Sequence, residues 1–286
     1  VMLWATAPLS TNLLALLGTV RSGRGKKDGG LGWLLVLSAL IPLLALAIGQ
    51  SMVYDNDRLL MAAFPFVAAL AGSGFGWLVD GLRRLGTSLA AARGARQPWR
   101  LSDLRKRVES IRHPAWVGLA ALLLAVLLLL PQTVSMAGLY PHLFSYYSEG
   151  VGGLPGATEM GLETTYWCEP YASALDYINA NAEEYDRLWA EPWSHDVLVY
   201  YQEHGLLRED LVILIPQDGI VSIFGPYAGR LIPGGYRDAD WILFQYRQTQ
   251  YGVYRENYEV LTYIRTLEPV QRVEYQGVPI MELYRP

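Results

Sequence analysis

Two short stretches hold the residues best suited to chemistry. The first, residues 54–58, reads Tyr-Asp-Asn-Asp-Arg. Asp55 and Asp57 stand two apart, a spacing that lets two carboxylates share a hard divalent cation beside a phosphate, and Arg58 can clamp phosphate oxygens with its planar fork. The same residues also suit plain structural duties. Asp57 fits the cap of a helix beginning at Leu59, and Arg58 can carry its charge from an apolar surface out to water. Both readings stand on spacing alone.

The second stretch, residues 140–157, reads YPHLFSYYSEGVGGLPGA. Tyrosines at the exit of an apolar run form an aromatic belt at a membrane interface. A belt needs neither Glu149 nor Gly152, Gly153 and Gly156, and this glycine density predicts an irregular loop with positive φ. Irregular backbone at membrane depth lines a cavity or packs on protein. Glu149 and these glycines are therefore what a plain aromatic belt leaves unexplained.

The elements that position these residues come from two different solvents. Of 286 residues 52% are hydrophobic, but the long apolar runs all fall before residue 138. The run 31–49 is uncharged and as a helix extends about 28 Å, close to the thickness of a hydrocarbon layer. Further spans are expected over 59–82, 115–137 and, interrupted by polar residues, 1–20. Gly72 and Gly76 lie on one face of the 59–82 helix and suit close helix packing. The segments 21–30 and 83–114 are rich in Lys and Arg, which places them on the cytoplasmic side. Part of the second, LSDLRKRVESIRH, can form an amphipathic helix on the inner leaflet or a solvated linker. From residue 138 onward there are twenty-one acidic residues against nine arginines and no lysine, so that region is expected outside. Basic residues sorted to one side mark orientation and contact with anionic lipid, not a nucleic-acid partner.

Residues 1–137 are thus expected to be a transmembrane region of about four spans, and residues 138–286 an extracytoplasmic soluble α/β domain. In the latter, 167–186 predicts a helix with Pro170 in its first turn, DVLVYY, DLVILIP and ADWILFQYR read as strands, and VQRVEYQGVPIMELYR (270–285) reads as a hairpin turning near Gln276 and Gly277. Cys168 is the sole cysteine and reads as an ordinary half-buried residue. His195, Asp196 and His204 lack zinc-helix spacing, and no P-loop, dinucleotide loop or G-x-S-x-G elbow occurs. The chain opens on VMLWATAPLS without an initiating Met, and is expected to be part of a longer protein.

The order of motifs resembles a known family. The sequence DRLLMAAFPFVAALAG, then a final span, then YPHLFSYYSEGVGGLPGA, then YWCEPYASALDYINAN, is similar to the C-terminal half of GT-C membrane glycosyltransferases of the protein mannosyltransferase, dolichyl-phosphate-mannose type, bacterial members in particular. The tail from DADWILFQYRQTQYG to VEYQGVPIMELYRP looks like the end of such proteins. The resemblance covers most of residues 50–286. It implies a partial GT-C-like α-helical bundle, a polyprenyl-phosphate-linked sugar as donor, and inverting transfer to an acceptor on the outer face. It also implies a catalytic carboxylate upstream of Val1, Arg58 at the donor phosphate with Asp55 and Asp57 as its metal or phosphate neighbourhood, and His142, Tyr146, Tyr147 and Glu149 at the acceptor. No cofactor is required by this reading beyond a divalent cation at most. The rival expectation is a non-catalytic anchor whose exterior domain binds a partner or envelope polymer. A transporter ranks below both, since the spans lack paired buried charges.

Overall fold

In lipid an apolar run satisfies its own backbone groups when it is helical, and the described apolar runs of the N-terminal region are helices. The computed structural model describes residues 2–24, 29–48, 58–94, 115–165, 167–190, 195–215, 231–247 and 255–286. The chain divides into two units, Val1–Gly138 with Ser148–Gly150, and Leu139–Tyr147 with Val151–Pro286.

The first unit holds α1 (Met2–Thr6), α2 (Leu9–Arg24), α3 (Gly29–Ile48), α4 (Phe64–Gly94) and α5 (Ala115–Leu139). Among the described residues, Leu60–Ser88 and Trp116–Leu139 are long and apolar enough to cross a membrane. The other two expected spans fall on α3 and α2. The apolar helix Gly30–Ala45 is shorter, and α2 carries Ser10, Thr11 and Asn12 in its first turn and arginines in its last. The basic segment expected to start at residue 83 is also shorter, because α4 continues as helix through Gly94 and takes Arg83, Arg84 and Arg93 with it. The amphipathic stretch 101–113 lies outside the described residues.

Helices α2 and α4 approach through glycine, at positions other than those the sequence pattern suggested. A Cβ on Gly18 would lie 1.9 Å from the Leu70 carbonyl oxygen, and one on Gly74 2.0 Å from that of Leu14. Gly72 faces open space, and a Cβ on Gly76 would meet only the Arg21 guanidinium at 3.4 Å. The same pair of helices is tied at its far end, where Arg21 donates to the Ser73 carbonyl at 3.2 Å and pairs with Asp80 at 3.5 Å. Asn12, buried in the first turn of α2, donates to the carbonyls of Trp4 and Ala7 that follow from α1, and Ser148 donates to Trp4 and Ala5. Helix α5 behaves differently: its leucines, including Leu122, Leu123 and Leu127, are exposed around the helix, as suits a lipid solvent.

The second unit is built on a six-stranded sheet in the order β3-β2-β1-β4-β6-β5. Its strands are β1 (Arg187–Ala190), β2 (Val212–Ile215), β3 (Leu231–Pro233), β4 (Trp241–Gln245), β5 (Gln271–Tyr275) and β6 (Val278–Tyr284). The first four run parallel, and β6 pairs antiparallel with both β4 and β5. Alternation with period two gives the sheet two apolar faces. Leu188, Ala190, Ile213, Trp241 and Leu243 face α7 (Ala172–Asn181) and α8 (His195–Glu203), while Trp189, Leu214, Ile242 and Phe244 face Val260 and Ile264 of α9 (Arg255–Ile264). A short helix, α6 (Gly153–Glu159), precedes them.

The residues 196–201 read as a strand belong to helix α8. A six-residue apolar run has no decisive period, and here Leu198 and Val199 bury together on a helical face. The helix expected over 167–186 is shorter, opening as a 3₁₀ turn at Glu169–Tyr171 that contains Pro170. Cys168 is half-buried against the core. The hairpin falls where expected: Gln276 and Gly277 have φ of 54° and 79°, as a two-residue turn with both central residues at positive φ requires. Beside it β5 forms an edge of the sheet, with Arg272 and Glu274 exposed 3.9 Å apart.

One carboxylate is buried in the sheet. Glu282 on β6 is 2% exposed and accepts from the phenols of Tyr246 and Tyr284 and, at 2.5 Å, from Arg272 Nε. Burial, then hydrogen bonding to Glu282, pushes both phenols above their ordinary range and keeps them as donors.

Two outcomes are expected from thermal melts in detergent. Gly18→Ala and Gly74→Ala each cost about 1–3 kcal/mol through forced helix separation, whereas Gly72→Ala is neutral. Glu282→Leu leaves two phenols without their acceptor and costs on the order of 3 kcal/mol.

Candidate functional site

In the first unit, Arg58 opens a 3₁₀ helix, Arg58–Ala63, that runs directly into α4. Pro65 occupies the first turn of α4, where its missing N–H costs nothing. Asp55 and Asp57 lie outside the described residues. Beside this start is a cleft of about 370 Å³ lined by Thr6, Ala7, Pro8, Thr11, Met61, Phe64, Val67 and Ala68. Its walls come from two stretches: Thr6 at the end of α1, Ala7, Pro8 and Thr11 in the first turn of α2 form one, and the 3₁₀ helix with the first turns of α4 supplies Met61, Phe64, Val67 and Ala68. The chemistry of this lining suits a hydrocarbon chain, with hydroxyls on one side only. Glu149 also belongs to this unit; it is exposed and accepts from Ser135 Oγ of α5 at 2.8 Å.

In the second unit, the segment after α5 folds inward. His142 is 3% exposed, and its two ring nitrogens face different groups: Nδ1 lies 3.3 Å from Glu169 Oε1, and Nε2 lies 3.0 Å from Ser173 Oγ. Three separate stretches create this meeting. His142 precedes a 3₁₀ turn at Leu143–Ser145, Glu169 begins the 3₁₀ turn before α7, and Ser173 is in the first turn of α7 itself. Glu169 is set by unusual backbone, since Trp167 and Cys168 immediately before it have φ of 64° and 59°, a region that non-glycine residues rarely adopt. From β5, Gln271 Nε2 donates to the Ser173 carbonyl at 3.0 Å, and Tyr275 stands edge-on to the His142 ring at 5.7 Å. Burial, and next the negative charge of Glu169, raises the Tyr275 phenol above its ordinary range, so it remains protonated. A histidine held between a carboxylate and a hydroxyl is arranged to accept and return a proton.

The four residues expected to wall one cleft have separate settings. Tyr147 is buried, and its phenol donates to the Glu163 carbonyl; Tyr146 is half-buried. His142 turns to Glu169 and Ser173, and Glu149 belongs to the other unit. The glycine-rich stretch is only partly irregular. Gly152 and Gly153 take the positive φ expected of them, at 86° and 66°, but α6 begins at Gly153. Gly156 lies within that helix because a Cβ there would fall 1.8 Å from the Val151 carbonyl oxygen. Glu169, Ser173 and Tyr275 escaped the sequence reading. The available signal was an acid and a serine four residues apart at a helix start.

No cluster of three or more His, Cys, Asp or Glu side chains forms a metal site among the described residues. Compared with protein families, with curated proteins and with solved structures, the chain matches none.

The other buried histidine, His195, begins α8 and is 2% exposed. Burial lowers its proton affinity below the ordinary value of 6.5, and Asp196 at 3.8 Å opposes this only in part. The folded chain therefore keeps a neutral imidazole where the unfolded chain binds a proton. The stability this gives is complete above about pH 6.5 and is lost as pH falls from there through the lower folded value. The melting temperature of the second unit is expected to fall between pH 7 and pH 5, with a shallower fall in His195→Gln; equal slopes in both proteins would refute the assignment.

Proposed function

We propose that this chain is the C-terminal portion of an integral-membrane glycosyltransferase of the GT-C class, which moves a sugar from a polyprenyl-phosphate carrier to an acceptor on the outer face. The observation that carries the reading is the apolar cleft beside the start of α4. The stretch that supplies Met61 and Phe64 to its lining also begins at Arg58, so a hydrocarbon tail and the cation for its phosphate belong to one short segment. The two helices of membrane-crossing length, and the order of motifs from Asp57 to Gly153, support the same reading.

In this scheme the spans form part of a multi-pass bundle with the acidic region outside. Arg58 stabilises negative charge as the carrier phosphate leaves, with Asp55 and Asp57 beside it and a divalent cation at most as cofactor. The base that deprotonates the acceptor hydroxyl is a carboxylate supplied from upstream of Val1. The acceptor meets residues of the 140–157 stretch, among which exposed Glu149 is the one whose carboxylate stands at the surface.

The test is transfer of a radiolabelled sugar from its polyprenyl phosphate by the full-length protein in membranes. Arg58→Ala is expected to lower transfer roughly 10²–10³-fold, as loss of a charge-stabilising donor does. Unchanged transfer would overturn the phosphate role, and a full-length protein without transfer on any polyprenyl-phosphate sugar would leave the membrane-anchored binding domain as the better reading.

A further inference from the structure

The group formed by His142, Glu169 and Ser173 is not used by sugar transfer from a lipid phosphate, yet it has the parts of a nucleophilic site. We propose that Ser173 is a nucleophile, His142 its general base and Glu169 the acid that orients the base, and that the second unit hydrolyses a carboxylic ester presented at the membrane surface. The inference does not rest on the glycosyltransferase reading and shares with it only the membrane-crossing helix Trp116–Leu139.

The geometry comes first. His142 Nδ1 lies 3.3 Å from Glu169 Oε1, an ion-pair contact and not an aligned hydrogen bond, and Nε2 lies 3.0 Å from the Ser173 hydroxyl, where its Nδ1–H tautomer accepts that proton. This is the order of contacts that activates a serine, recognised by geometry and not by position in a chain. Among the described residues neither Glu169 oxygen accepts a hydrogen bond, so none of these residues spends its charge on capping or on holding a loop. The carboxylate is only 17% exposed, which leaves its field little screened at the imidazole. His142 is enclosed while Ser173 is half-buried, so the base is sheltered and the nucleophile is within reach. Ser173 also stands in the first turn of α7, a ten-residue helix whose dipole favours the negative charge that develops on an attacked carbonyl oxygen. The consecutive left-handed residues Trp167 and Cys168 add a second, independent mark, since such backbone persists where its surroundings hold it and gathers at functional sites.

The balance of the reaction closes without a further reagent. Ser173 Oγ bonds to the ester carbonyl carbon as its proton passes to His142 Nε2. The carbon–alkoxide bond breaks, the alkoxide takes that proton, and an alcohol leaves an acyl group on Ser173. Water then bonds to the acyl carbon and gives its proton to Nε2; the Ser173 oxygen departs and recovers the proton, and the carboxylic acid leaves. Glu169 stays ionised throughout and stabilises the imidazolium.

The substrate class follows from the surroundings. His142 is three residues past Leu139, the end of the spanning helix, so the chain holds it within about 10 Å of that point. Tyr140, Leu143 and Phe144 flank it with 73%, 41% and 46% of their surface exposed, and Trp167, two residues before Glu169, is 53% exposed. Apolar side chains around a site whose base follows three residues after Leu139 in the chain fit an amphiphilic ester better than a small soluble one.

The experiment uses the intact chain in nanodiscs, treated with a biotinylated fluorophosphonate and, separately, with 4-nitrophenyl esters of acetate and octanoate. The expected result is one adduct, on the peptide containing Ser173, and faster hydrolysis of the octanoate. Ser173→Ala abolishes adduct and hydrolysis with an unchanged circular dichroism spectrum, as alanine suits a helix first turn. Ser173→Cys retains a nucleophile and makes hydrolysis sensitive to iodoacetamide. His142→Gln and Glu169→Gln slow labelling roughly 10²–10⁴-fold. The proposal is overturned if the folded protein gives no adduct at Ser173, if another residue is labelled instead, or if Ser173→Ala hydrolyses the ester at the wild-type rate. Sugar transfer does not enter any of these readings.

Discussion

Strand β4 must be covered on both faces, and the arrangement of the second unit follows from that requirement. Trp241–Gln245 is buried at all five positions, so neither face can meet water. Trp241 and Leu243 require α7 and α8 on one side, while Ile242 and Phe244 require α9 on the other. Parallel neighbours buried in this way need a crossover between them, and α8 supplies it between β1 and β2. The register is anchored at the strand starts. Arg187 on β1 forms a two-pronged pair with Asp240 just before β4, at 3.0 and 3.2 Å, and Trp241 Nε1 donates to Asp186 at 2.8 Å. The Arg187 guanidinium holds the Asp240 carboxyl below its usual range.

The first unit is organised by a different rule. Where its apolar helices meet, contact depends on close fit of their shapes. Gly18 and Gly74 let two backbones come close enough for each to rest on a carbonyl of the other, and Asn12, Arg21 and Asp80 supply polar links near the ends. Helix α5 is held more lightly: Gln132 accepts from Ser10 of α2 at 3.3 Å and Trp116 rests on Gly86 of α4, while most of its leucines are exposed.

What could be read in the sequence depended on how local the cause was. The hairpin at Gln276–Gly277 is dictated by two adjacent residues and was legible, as were β2 and β4, whose apolar runs are flanked by turns. Strand β1 was not, because Arg187–Ala190 is four residues long and becomes a strand through pairing with β2 and β4. Residues 196–201 misled for the reason that β-branched and aromatic residues in a short run fit either structure, and their burial against Ile213 decides. Gly72 faces away from α2 and Gly76 reaches only its Arg21 side chain, which no pattern within α4 reveals. The same holds for the histidine cluster. His142 was noted for its place after a span, but Glu169 and Ser173, some thirty residues on, look like an ordinary helix start until the fold brings them together.

The exposed pair on β5 has a bearing on solubility. An edge strand offers its free backbone groups to any passing strand, and alternating charges are a common guard against that. Arg272 and Glu274 supply this guard, yet Arg272 also neutralises Glu282 inside the sheet. One side chain thus joins colloidal behaviour to internal electrostatics. A change at position 272 would act twice, uncovering the edge to aggregation while stranding a carboxylate behind it, so the tolerance of this rim to substitution is set by the interior it screens.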